Sequence, residues 1–177
     1  MIDAYLRGHA QQEDHVIHLL FSSNRWEAAE RIKAEIASGT TVVIDRYYYS
    51  GIVYSAAKDN PSLNLAWARE PEVGLPRPDI CIFLDISHSE AAKRAGFGLE
   101  KYENDKTQGR VRELFHNLLT LPDKEDFCVI EAEKSKQEVE QKVLDAVLAC
   151  MRRLEANDTP LRSVLPWPQQ ISTNGVS

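Results

Sequence analysis

A chain of 177 residues, 43% hydrophobic and 27% charged, has the size and composition of one soluble globular domain that buries a core without disulfides or structural metal. A net charge of −6 excludes the broad basic face needed for wholesale binding to nucleic acid or an anionic membrane, while a few arginines still suffice for a small anionic ligand. Cys81, Cys128 and Cys150 are odd in number and widely spaced, which excludes a zinc-type cluster and reads as free, reduced thiols.

No apolar run reaches the length of a transmembrane helix, and the first residues lack a basic flank before an apolar core, so a cytosolic or nuclear protein is expected. His15 and His18 share a helix face but lack a third metal ligand, and they read as surface or packing residues.

From about Glu13 to Ser38, Val16, Leu19, Leu20, Trp26, Ala29, Ile32 and Ile36 recur at helical spacing, and Gly39 follows as a helix exit. Within this helix Phe21 and Arg25 stand one turn apart, an aromatic plate beside a planar donor, suited to stacking on a base and bonding its edge. By themselves the residues favour core packing for Phe21 and a surface ion pair for Arg25.

Thr40 to Ile44 is a β-branched block without alternation, which predicts a strand buried on both faces of a parallel sheet. Asp45-Arg46 then falls at the strand's carboxyl end, where open α/β sheets place ligands. Arg46 is suited to holding a phosphate, and Asp45 to orienting that arginine or a hydrated metal ion; a structural salt bridge explains the pair equally well.

Helical segments are predicted from after Tyr54 through Lys58 and through Leu63, Leu65 and Trp67. The proline-rich stretch Glu70 to Asp79 is a loop, Ile80 to Asp85 a buried strand, and Ser87 to Ala95 a helix capped by Ser87. Between Lys93 and Asn104, Gly96 and Gly98 sit among cations, either a lid that closes over phosphates or a solvated loop. A helix from Val111 to Leu121, a strand from Phe127 to Ile130 and a helix from Ser135 to Leu154 follow. Residues 1–155 form the expected domain, and residues 156–177, with Trp167, a flexible tail.

Strands alternating with helices predict an α/β fold with a doubly wound parallel sheet. Three strands make a thin sheet, and no glycine is followed five residues later by Gly-Lys, so an opening βαβ portion with a phosphate loop is missing from the sequence.

Four separated motifs, in order, resemble the eukaryotic thymidylate kinases, which phosphorylate thymidine monophosphate (dTMP) with ATP. They are His18 to Glu27, with Phe21, Asn24 and Arg25; Asp45-Arg46-Tyr47 with Ser50-Gly51 and Tyr54; Gly74-Leu75-Pro76-Arg77-Pro78-Asp79; and Tyr102-Glu103 with Gln108. The resemblance implies a P-loop kinase-like parallel sheet flanked by helices, incomplete because the first strand, the P-loop and the following helix are missing. It implies that Phe21 stacks on thymine, Arg25 donates to a thymine carbonyl, and Arg46 clamps the monophosphate. Asp45 would place that arginine and the magnesium ion that accompanies ATP. Ser50 and Gly51 would bind the substrate, and Tyr54 would lie against the sugar, where its ring leaves no room for a 2′-hydroxyl. Tyr102 and Gln108 would complete the pocket, and Arg94, Lys101 and Ala132 would face ATP.

Ser23 stands where the family usually has alanine, and Lys101, where eukaryotic members have arginine, loses the bidentate fork. The P-loop would lie before Met1, lost through a wrongly chosen start codon or exon, and the chain as written is expected to hold the monophosphate weakly and transfer phosphate very slowly or not at all. Two alternatives stand beside this reading. One is a noncatalytic nucleotide-binding or dimerisation module that pairs through the helices such enzymes use to form homodimers. The other is a kinase for a different pyrimidine monophosphate, against which the Phe21, Arg25 and Tyr54 set speaks.

Overall fold

The computed structural model describes residues 1–91, 93 and 105–168. They gather into two compact units where the composition suggests one: Met1–Arg77 with the described residues from Ser163 on, and Pro78–Arg162.

The first unit is helical. It contains α1 (Ile2–Leu6), α2 (Asp14–Ala37), α3 (Tyr48–Ala56) and α4 (Leu65–Arg69), followed by a 3-10 turn at Glu70–Glu72. α2 lies where the apolar spacing predicts it. Its first turn is capped by the Glu13 carboxylate, which accepts from the amides of His15 and Val16, and the chain leaves through Gly39 at φ 87°. α2 packs against α3, and Ile17, Ala29 and Ile32 of α2, Tyr48, Tyr49, Ile52 and Val53 of α3, and Leu63, Ala68 and Leu75 are all buried. α3 begins seven residues before the predicted helix, because burying its tyrosines and branched residues outweighs their modest helix propensity.

The strand expected at Thr40 to Ile44 does not form. The segment is irregular, with Val43 90% exposed and Ile44 41% exposed. A β-branched run becomes a strand when a neighbour completes its ladder of hydrogen bonds and covers its faces, and among the described residues no strand pairs with it.

The second unit holds β1 (Cys81–Asp85) and β2 (Phe127–Glu131), paired in parallel from Cys81 with Phe127 to Asp85 with Glu131, both at their predicted places. Around them lie α5 (His88–Ala91), α6 (Asp105–Leu118), a 3-10 turn at Pro122–Asp126, and α7 (Lys136–Asn157). α6 buries Val111, Leu114 and Leu118 along one stripe, and its Phe115 stacks on Phe83 of β1 at 4.8 Å between ring centres. α7 opens with a reciprocal capping box between Ser135 and Glu138. Cys81, Cys128 and Cys150 are free thiols, and burial pushes Cys81 up to about 12. The glycine-flanked lid expected between Lys93 and Asn104 lies, but for Lys93, outside the described residues. Among the described residues no helix is long and apolar enough to cross a membrane.

Residues 163–167 fall in the segment expected as a tail. Ser163 bridges Pro76, Val164 is 1% exposed, and Arg69 donates to the carbonyl of Leu165.

Candidate nucleotide site

Arg25 of α2 and the Asp45-Arg46 pair line one hollow of about 380 Å³, bounded by Asn24 to Glu35 of α2 on one side and Val42 to Tyr47 on the other. Arg46 holds a left-handed backbone at φ 63°, a conformation that costs a side-chain-bearing residue about 1–2 kcal/mol. Its guanidinium lies 4.5 Å from the centre of the Tyr54 ring on α3. Strain of this kind persists where surrounding contacts impose it.

Arg25 is fixed from two directions. Its Nε donates to Glu72 Oε2 at 2.8 Å and its Nη2 to Glu72 Oε1, a two-pronged pair to a carboxylate with no solvent exposure. On the other side the guanidinium lies over Gly51, where an added Cβ would meet Nη2 at 2.8 Å and Nη1 at 2.9 Å. The turn that carries Glu72 is itself tied to α2. Ser22 Oγ and Trp26 Nε1 both donate to the carbonyl of Pro71, at 3.1 and 2.7 Å, and Gly74, at φ 99°, lets the chain pass beneath the Trp26 ring.

His18, one turn before Ser22, is buried as a packing residue. Nε2 lies 2.8 Å from the Ala68 carbonyl, which only accepts, so Nε2 carries the proton and Nδ1 accepts from Ser55 Oγ at 2.7 Å. Burial, helped by the Arg25 charge, pushes His18 down to about 4, so it is neutral near pH 7 and gives Glu72, 3.7 Å away, no counter-charge. The unfolded chain then binds a proton between pH 6.5 and 4 that the folded chain refuses. Stability is full above pH 6.5 and falls through that window by up to about 3 kcal/mol. Urea titrations at several pH values should show this slope, and His18→Gln should flatten it.

Tyr47 also borders the hollow. Its hydroxyl is buried without a hydrogen-bond partner, and burial first, then the Glu72 charge, raises it to about 12.

Not every predicted site residue joins this cluster. Phe21, a turn before Arg25 on α2, does not line the hollow. Ser50, Gly51 and Tyr54 sit together on α3. Gln108 on α6 and Ala132, whose amide donates to the Asp85 carbonyl at 2.8 Å just after β2, belong to the second unit. Arg94, Lys101 and Tyr102 lie outside the described residues. Glu72 and Tyr47 gained no role from the sequence. The partner of Glu72 lies 47 residues away, and a lone carboxylate in a proline-rich loop carries no periodic signal.

The fold matches that of a solved thymidylate kinase from Candida albicans with a TM-score of 0.76 and 28% identity, over 92% of this chain and 79% of that one. The class is therefore the P-loop kinase fold, a parallel sheet flanked by helices. A family model for thymidylate kinase matches residues 1–143. The human thymidylate kinase is 41% identical over 146 residues, covering 81% of this chain and 66% of that protein. The Arabidopsis thaliana enzyme is 43% identical over 148 residues, covering 84% and 54%, and the Schizosaccharomyces pombe enzyme 41% over 148, covering 82% and 69%. The chain belongs to the thymidylate kinase family. It spans between about half and about two thirds of the length of these relatives.

Proposed function

We propose that the chain, through residues 1–155, binds dTMP and serves transfer of the ATP γ-phosphate to it, giving dTDP. The observation that carries this is the meeting of Arg25 and Arg46 at one hollow in a member of this family. Arg46 is the phosphate clamp, a fork aimed by its backbone and steadied on Tyr54. Arg25, with its remaining N–H groups, reads a base carbonyl, Phe21, one turn before it on α2 and outside the hollow, is assigned the stacking face by resemblance to the family, Ser50 and Gly51 bind the substrate, and Tyr54 lies against the sugar. By resemblance to the family, Gln108 and Tyr102 are assigned to dTMP, and Arg94, Lys101 and Ala132 to ATP.

Magnesium fits the donor set in a limited way. Among the described residues no group of three or more potential ligands gathers, but Asp45 at the hollow, which Glu35 also lines, supplies a carboxylate of the kind that an ion carried in on phosphates uses. When bound, the ion neutralises charge on the phosphates. Three free thiols accord with a cytosolic or nuclear home. Exposed Val16 and Leu19 on α2 support a homodimer.

Calorimetry with dTMP against uridine and guanosine monophosphates tests the acceptor assignment, and equal or absent heats reject it. A coupled ADP-release assay reads the transfer. Gly51→Ala should lower both binding and stability. The new methyl displaces the Arg25 guanidinium from the buried Glu72 carboxylate, which weakens dTMP binding about tenfold and lowers the melting temperature, because the gain of about 1 kcal/mol in helix propensity is smaller than the cost of disturbing a buried ion pair.

A further inference from the structure

We propose that Glu72 is a positioning residue for Arg25 and, through it, sets which pyrimidine the site accepts: a ring with a 4-oxo group over one with a 4-amino group. This rests on the reading of the acceptor site given above. A guanidinium carries five N–H donors on a flexible stem, so an unrestrained arginine adapts to many partners. Here the Glu72 fork occupies the Nε donor and one donor of Nη2, and the Gly51 backbone closes one side. What remains is the outer edge formed by Nη1 and Nη2, and that edge can only donate. A 4-oxo group offers it lone pairs, whereas a 4-amino group turns N–H against N–H.

The fork is stiff because both ends are held. Glu72 has no exposure, and its turn is tied through Pro71 to Ser22 and Trp26, which flank Arg25 on the same face of α2. His18 is neutral and spends its proton on Ala68, so Arg25 is the cation that compensates this carboxylate. Glu72 therefore acts on the base through Arg25.

Calorimetry of the full 177-residue chain with dTMP and with dCMP tests this, with far-UV circular dichroism confirming the fold of each variant. The parent chain should prefer dTMP about 10- to 100-fold, the worth of one charge-assisted hydrogen bond. Glu72→Gln, which sets an amide N–H against the guanidinium, should cut that preference to within about threefold, chiefly by weakening dTMP. Arg25→Met should lose the preference equally, and adding Glu72→Met to it should change nothing further, because the apolar pair fills the buried site without an orphaned charge. This second comparison decides the matter if Glu72→Gln fails to fold. A Glu72→Gln chain that keeps the parental preference, or a Glu72 change that lowers it further when Arg25 is already methionine, overturns the proposal. A parent chain with no preference between dTMP and dCMP removes the base-reading role of Arg25 itself, and this inference with it.

Discussion

Replacing Arg46 with alanine should weaken dTMP binding by about 2–3 kcal/mol, a factor of roughly 30 to 150, the usual loss when a charged hydrogen-bond donor to phosphate is removed. Stability should fall by only about 1 kcal/mol, the worth of an exposed contact with the Tyr54 ring. The left-handed backbone at φ 63° supplies the control. Arg46→Gly removes the same guanidinium but also the strain of a Cβ in that conformation, so it should be about 1 kcal/mol more stable than Arg46→Ala while binding no better. Arg46→Lys keeps the charge and loses the fork, and should fall between parent and alanine in affinity. Calorimetry gives the affinities and urea unfolding the stabilities. If the alanine chain binds dTMP like the parent, the phosphate is held elsewhere. If the glycine chain is no more stable than the alanine chain, the backbone at Arg46 is not strained, and its conformation says nothing about aim.

The fold was legible where a local signal and its structural cause coincide. α2 shows itself by apolar spacing and the Gly39 exit, and α7, β1 and β2 lie where the sequence places a closing helix and two short apolar strands. Thr40 to Ile44 was misread because β-branched residues report the environment a segment favours, not whether a partner strand stands beside it. α3 was entered late because its tyrosines are poor helix formers until packing fixes them. In the site, Arg25 and Arg46 were legible through motif and position, whereas the fork that holds Arg25 spans 47 residues and reads as an ordinary loop acid. The bond from Arg69 to Leu165 spans 96 residues, beyond any pattern of spacing.

That longest bond gives the second large effect. Ending the chain at Arg162 should destabilise the helical unit by about 3–5 kcal/mol. The segment after Arg162 makes two backbone bonds with the loop beyond Glu72: Gly74 donates to Val164 and Val164 to Leu75, both at 2.9 Å. Val164 itself is 1% exposed, and burying such a side chain is worth about 1.5–3 kcal/mol. Arg69, also 1% exposed, sends Nε and Nη2 to the Leu165 carbonyl at 3.0 and 2.8 Å and lies 4.7 Å from the Trp167 ring centre. Truncation removes that carbonyl from a buried cation, and losing one of the partners of a buried charge is costly. Trp167→Ala, which spares the carbonyl, should lose only about 1 kcal/mol. Because Gly74 and Glu72 share one loop, the shortened chain should also hold Arg25 less firmly and favour dTMP over dCMP less. Urea unfolding followed by circular dichroism reads the first effect and calorimetry the second. An unchanged urea midpoint would mean that residues 163–167 ride on the helices without bracing them, and an unchanged base preference that the Glu72 turn is held by its bonds to Ser22 and Trp26 alone.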